Sequence, residues 1–301
     1  PMRGMIALQE VASGKDVRFT VPSAEHYAGI QLEKAQAWLD AIVSKAPMEV
    51  AIVGNIEPDA AIALANKWFG ALPNRNADFQ GERARRKVVP RTGPVIEDVQ
   101  VDTITPMAFV LLGWRGADRS DTKSQIGLVH ASTMLNTRLM EAVREDKGLT
   151  YQIGSGYQFT GYDHMDGLLV QFVADPAKAL EATAVARETV ASFVKDGPTD
   201  DEVEATAKQF ANIFDEQEQQ PAFWVQMLQR LHANGRTLAE VKNRLAMLRV
   251  PDAEAIQAAM TLVHQDARFA RIVIAPESAF PLPEPAAAGA PAEEPAEAGT
   301  R

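Results

Sequence analysis

Hydrophobic positions along the chain fall into helical and strand-like periods that alternate in a definite order. Leu32, Ala35, Leu39, Ile42 and Val43 recur at helical spacing, as do Ala61, Leu64, Ala65 and Trp68, and the short apolar run Met48 to Val53 lies between the two stripes. Apolar residues at i, i+3, i+4 and i+7 mark one face of a helix, whereas a short apolar run bounded by breakers marks a buried strand. Residues 1–75 are therefore expected to end a domain, in the order helix, strand, helix, with the beginning of that domain outside this chain. Gly54-Asn55 after the strand suits a tight turn.

Residues 76–93 change character to charged and breaker-rich, with Arg83, Arg85, Arg86 and Lys87 beside Pro90 and Gly93. This composition predicts a solvated linker. A complete domain is expected over 94–275. Strands are predicted near Val95–Val101 and Ala108–Trp114, followed by a long helix through Arg144 on which Leu128, Leu135, Leu139 and Val143 share a face. Tyr151–Phe159 and Gly167–Val173 read as a hairpin, because the intervening Thr160-Gly161-Tyr162-Asp163-His164-Met165-Asp166 is turn-forming.

Helices follow near Lys178–Val194 and Asp200–Asp215. The second is opened by Thr199-x-x-Glu202, the spacing of a capping box. Shorter helical stretches around Trp224–Leu231, Ala239–Leu248 and Asp252–Val263 lead to a last strand, Ala267–Ile274. Strands, then a block of helices, then one returning strand predict an α+β domain in which a mixed, largely antiparallel sheet packs against helices. The order of Trp38–Val53 matches that of Met260–Ile274, the mark of a duplicated unit. Residues 276–301 are rich in proline, alanine and glutamate and are expected to form a disordered tail.

Composition narrows the function. With 46% hydrophobic residues the 301-residue chain has ample material for a packed core. A net charge of -10 disfavours a nucleic-acid partner, and no run approaches the roughly 20 apolar residues of a membrane span. The absence of cysteine removes disulfides, thiolate metal sites and cysteine nucleophiles, and fits a bacterial periplasm or a cytoplasm equally.

Most of the familiar site motifs are missing. The five histidines, His26, His130, His164, His232 and His264, are scattered; no two are one helical turn apart, so neither H-E-x-x-H nor H-x-x-E-H exists to hold zinc. His164 between Asp163 and Asp166 reads as part of a polar turn, and His130 as a helix residue. Gly154-Ser155-Gly156 lacks the G-x-S-x-G nucleophile elbow and lies in a predicted strand. Arg144 and Tyr151 remain as candidate chemistry. They flank a helix-to-strand joint at which Gly148 follows Lys147, the pattern of a left-handed helix cap with a cation near the negative end of the helix. Taken on their own, the two residues would serve as a helix-end cation paired with Glu141 or Glu145 and as a packed strand aromatic.

The segment from Asn136-Thr137-Arg138-Leu139 through Arg144-Glu145-Asp146-Lys147-Gly148-Leu149-Thr150-Tyr151 resembles the C-terminal domain of the insulinase/pitrilysin family of zinc metallopeptidases, the inverzincins. Met48 to Asn55, with the helix ending Trp68-Phe69-Gly70-Ala71-Leu72-Pro73, resembles the close of the preceding domain of that family. Asn136 stands where serine is usual, Asn55 where aspartate is usual and Thr150 where a small residue is usual. The resemblance implies that this chain is the C-terminal part or non-zinc subunit of a metalloendopeptidase, inactive alone. It implies a zinc-bearing H-x-x-E-H half as partner, zinc in that half and none here, and a peptide substrate held by Arg144 and Tyr151. The alternative within the same family is a non-catalytic structural or peptide-presenting subunit.

Overall fold

A computed structural model of the chain describes residues 2–73, 75, 84–91, 93–118, 120–229 and 231–284. Its helices are α1 (Met2–Ala12), α2 (Ala24–Ala28), α3 (Leu32–Lys45), α4 (Pro58–Phe69), α5 (Thr122–Leu139), α6 (Ala179–Asp196), α7 (Asp200–Gln217), α8 (Pro221–Leu228), α9 (Leu238–Arg249) and α10 (Ala253–Val263). The strands are β1 (Val95–Val101), β2 (Ala108–Arg115), β3 (Gln152–Gln158), β4 (Gly167–Ala174) and β5 (Phe269–Pro276). They form one sheet in the order β1-β5-β2-β4-β3. The β1–β5 pair is parallel and the other three pairs are antiparallel, so the expected mixed, largely antiparallel sheet is present.

Alternation along the strands decides which side chains face which layer. Val110, Leu112 and Trp114 of β2, Leu168, Val170 and Phe172 of β4, and Phe269, Val273 and Ala275 of β5 enter one core with α5, α6 and α10. Register matches this division, since Trp114 lies opposite Phe269 and Val110 opposite Val273. The intervening positions Leu111, Leu169, Ile272 and Ile274 point to the other face, where Ala7 and Leu8 of α1 cover them. With both faces covered, β2 and β5 read as nearly continuous apolar runs rather than alternating ones.

Close packing of α5 on α10 depends on Gly127. A Cβ there would lie 2.9 Å from the Ala255 carbonyl oxygen and 3.1 Å from the Ala259 Cβ. A smaller core of Phe214, Phe223, Val241 and Leu245 joins α7, α8 and α9. The capping box expected at Thr199 and Glu202 is formed, and a second one, Thr237 with Glu240, opens α9.

Two expectations are corrected. The run Met48–Val53 is extended but pairs with no strand among the described residues; its hydrophobicity suits a sheet edge that the described residues do not supply. The helix-then-strand likeness to Met260–Ile274 consequently holds for the helices alone. At the other end, packing continues past 275: Leu282 is buried and Phe280 lies against the main core. The rest of the expected tail, 285–301, lies outside the described residues, as do residues 76–83 and 92 of the expected linker.

The segment from Val17 to Leu72 has an unusual surface. Helices α2, α3 and α4 contain no buried residue, and Trp38 and Trp68 are each 67% exposed. Polar and ring contacts hold it to the rest: Arg18 donates to the carbonyls of Arg85 and of Lys87, the latter at 2.8 Å, beside Phe19 packed 4.9 Å from the Tyr162 ring, and both carboxylate oxygens of Glu49 accept backbone N–H groups, of His232 at 2.7 Å and of Ala233 at 3.0 Å.

Candidate functional site at the end of α5

The long predicted helix changes geometry before it ends. Met140–Glu145 form a π turn in which the Asp146 N–H reaches back five residues to the Glu141 carbonyl at 2.9 Å. Gly148, at φ +57, takes the left-handed conformation predicted for the cap. Around it the Leu149 N–H donates to the Val143 carbonyl at 3.0 Å and the Gly148 N–H to the Arg144 carbonyl at 3.1 Å, so the last carbonyls of the helix are satisfied. Widening the final turn by one residue keeps Val143 fully buried while Arg144 stands exposed. π turns of this kind occur frequently at functional sites.

Beyond the cap, burial alternates sharply. Leu149 and Thr150 are buried, at 5% and 6% exposure, and Tyr151 is 89% exposed. The Thr150 hydroxyl donates to the Val173 carbonyl of β4 and accepts the Gln152 N–H at 3.2 Å. The backbone beside Tyr151 is thereby fixed while its phenol points outward. Asn136 and Ser155 tie the middle of β3 to α5: the Asn136 Oδ1 accepts the Ser155 N–H at 3.2 Å and the Ser155 hydroxyl donates to the Ser132 carbonyl at 2.6 Å. Ser155 thus serves as a structural tie between strand and helix.

Arg138 secures the other side of the helix end. Its Nε and Nη2 donate to the two Glu202 carboxylate oxygens at 2.6 and 2.7 Å, and Nη2 also donates to the Gly197 carbonyl at 2.9 Å. The guanidinium lies 4.7 Å from the Phe193 ring centre. Burial alone would raise the Glu202 carboxyl, but hydrogen bonds from Arg138 and Thr199, with the Arg138 charge, hold it below its ordinary value.

Neither candidate residue is used up by local structure. Among the described residues the Arg144 side chain makes one hydrogen bond, to Met140 Sδ at 3.8 Å, and no carboxylate, Glu141 and Glu145 included, lies within ion-pair range of it. Tyr151 is too exposed to be a packed strand aromatic. The pair therefore presents a guanidinium and a phenol, both hydrogen-bond donors, from an open surface next to the sheet edge at β3. Neither residue lines the slot beneath α1 or the grooves beside α9.

Zinc does not fit this chain as described: among the described residues no group of three His, Asp or Glu side chains could hold a metal ion. His164 is exposed in the β3–β4 turn at φ +65. His130 is buried, its Nε2 lies 2.8 Å from the Leu248 carbonyl, and burial lowers its pKa against the opposing effect of that carbonyl.

Sequence comparison leads to the same lineage. Residues 29–210 match the family described as the peptidase M16 inactive domain. An uncharacterized zinc protease of Mycobacterium leprae is 27% identical over 158 residues, covering 52% of this chain and 34% of that protein. The uncharacterized zinc protease YmxG of Bacillus subtilis is 25% identical over 171 residues, covering 53% of this chain and 37% of its own length. The match thus spans about a third of each relative. In structure, the peptidase M16 inactive domain from Pseudomonas fluorescens superposes with a TM-score of 0.72 at 19% identity, covering 91% of this chain and 65% of that one. The periplasmic protease PqqL of Escherichia coli gives 0.73 at 17% identity, covering 92% and 30%. By sequence match over more than half its length, and with a fold in agreement, the chain belongs to the M16 peptidase family through its inactive, C-terminal domain.

Proposed function

We propose that this chain is the C-terminal part, or the non-zinc subunit, of a zinc metalloendopeptidase, and that Arg144 and Tyr151 contact the peptide substrate from the side opposite a zinc site carried elsewhere. Membership of a family whose relatives are named zinc proteases supports the enzyme class. The observation that carries the assignment of roles is the outward presentation of Arg144 and Tyr151 at a joint braced by the Gly148 cap, the Thr150 hydroxyl and the Asn136–Ser155 tie.

In this reading the Tyr151 hydroxyl donates to the oxyanion that develops on the scissile carbonyl, and the permanently charged Arg144 guanidinium holds a neighbouring substrate carbonyl. Such donors act most strongly where closure of the assembly excludes water. Support for an absent partner surface comes from Val17–Leu72, which holds eighteen of the twenty-eight large hydrophobic residues exposed among the described residues. Surface of that kind marks an interface. The unpaired Met48–Val53 run fits the last strand of a sheet completed by the preceding part of the same domain. A non-catalytic, peptide-presenting role is the competing outcome.

The test is reconstitution. The purified chain alone should carry no stoichiometric zinc and hydrolyse no unstructured reporter peptide, and activity should appear on mixing with a zinc-bearing H-x-x-E-H half from the same source. Zinc bound at one ion per purified chain would overturn the proposal, and a stable but inactive complex would establish the non-catalytic role.

A further inference from the structure

The face of the sheet covered by α1 holds a slot of about 80 Å³. Its floor is made by small residues, Gly113 of β2 and Ala270 of β5, and its wall by Leu8 of α1. A Cβ added at Gly113 would point at Leu8, 3.5 Å from its Cδ1, so the hollow exists because position 113 lacks a side chain.

At the mouth stand two arginines. Arg268 donates from Nη1 to the carbonyls of Gly116 at 2.7 Å and Arg115 at 3.3 Å; Arg115 donates from Nη1 to the Arg91 carbonyl at 3.4 Å. Both are partly buried, and among the described residues no carboxylate lies within ion-pair range of either. Asp166 also lines the slot, but its Oδ1 accepts the N–H and hydroxyl of Thr160, at 2.7 and 3.0 Å. Burial and the charge of Arg268 both lower the pKa of Arg115, with no compensating acid. Two neighbouring guanidiniums held partly out of water without a counter-charge are costly, and planar forks of donors match a carboxylate.

We propose that this slot binds a short apolar monocarboxylate, its hydrocarbon body lying over Gly113 and Ala270 and its carboxylate meeting Arg115 and Arg268. Two sources supply that chemistry, a free short branched-chain acid and the C-terminal residue of a peptide. The site is separate from Arg144 and Tyr151 and does not rest on their assignment.

Calorimetric titration of the full chain with N-acetyl-glycyl-leucine, its C-terminal amide and 4-methylpentanoate tests the proposal. The free acid should bind saturably, with the amide weaker by about ten- to a hundredfold, the range expected for losing a charged hydrogen-bonded pair. Arg115→Gln should weaken the acid to a similar degree, and Gly113→Val, which fills the slot, should abolish binding. If 4-methylpentanoate binds as well as the peptide, the free acid is the ligand source; if only the peptide binds, the source is a C terminus. Equal affinity for acid and amide, no saturable binding of either acid to the folded chain, or an unchanged affinity in Arg115→Gln would each overturn it. Should Gly113→Val fail to fold, Arg115→Gln and the amide comparison still decide.

Discussion

Removing the Glu202 carboxylate by Glu202→Ala tests whether the Arg138 contact holds the end of α5, and hence Arg144, in place. Two functions end together: the bidentate pair with Arg138, at 2.6 and 2.7 Å, and the capping box that accepts the Thr199 N–H at 2.7 Å. The Thr199 hydroxyl still accepts the residue-202 N–H, so losing the Glu202 half of the capping box costs up to about 1 kcal/mol. Breaking a fully buried ion pair costs about 3 to 5 kcal/mol, and an exposed one about 0 to 1. With side-chain exposures of 22% and 21% this pair lies between those limits, so a total of about 2 to 3 kcal/mol follows. For a domain of this size that corresponds to roughly a 5 to 10 °C fall in Tm. Urea unfolding of Glu202→Ala, Arg138→Ala and the double variant isolates the pair, whose coupling should be about 1 to 2 kcal/mol. Because the folded-state pKa of Glu202 is depressed, its contribution is present above the unfolded value near 4.5 and is lost as pH falls through the folded value. A coupling below about 0.5 kcal/mol, or one that persists at acid pH, would refute the reasoning.

Further expectations concern other parts of the chain. Gly148→Ala forces a Cβ into the φ +57 cap and should cost about 1 kcal/mol, read as a lower urea midpoint. The pKa values of His130 and His264 are both lowered in the fold, each chiefly by burial; the native state thus favours their neutral forms, and stability present above pH 6.5 should decline as pH falls below it. His130→Gln should flatten that decline in urea midpoints measured from pH 7.5 to 5.5. Trp38→Ser and Trp68→Ser should each reduce binding of a hydrophobic dye by the isolated chain and weaken association with a zinc-bearing half. Burying one such indole is worth about 2 to 4 kcal/mol, so unchanged association would remove the interface assigned to Val17–Leu72.

The main domain was legible in the sequence because its elements carry local signals. Val95–Val101 and Ala108–Arg115 are bounded by proline, glycine and charged residues, and the Thr199-x-x-Glu202 spacing fixes the start of α7. Gly148 announced the helix cap, and with it the joint that presents Arg144 and Tyr151. What escaped depended on partners distant in sequence. The π turn is the local exception, closed by the Asp146 N–H on the Glu141 carbonyl, and no residue type marks it. Arg138 and Glu202 meet across 64 positions, and neither residue alone indicates the other. The slot beneath α1 requires Gly113 and Leu8 to face each other across two layers. Met48–Val53 failed in the opposite direction: its local pattern is that of a strand, but a strand needs a neighbouring edge.

Steady-state kinetics of the reconstituted peptidase, comparing the native chain with Tyr151→Phe and Arg144→Ala, test the central claim most directly. Loss of one oxyanion donor lowers kcat by about two to three orders of magnitude. Tyr151→Phe should show such a fall with KM nearly unchanged, and Arg144→Ala a large fall in kcat/KM. Activity that survives both substitutions intact would contradict the assignment of Arg144 and Tyr151 to the reaction.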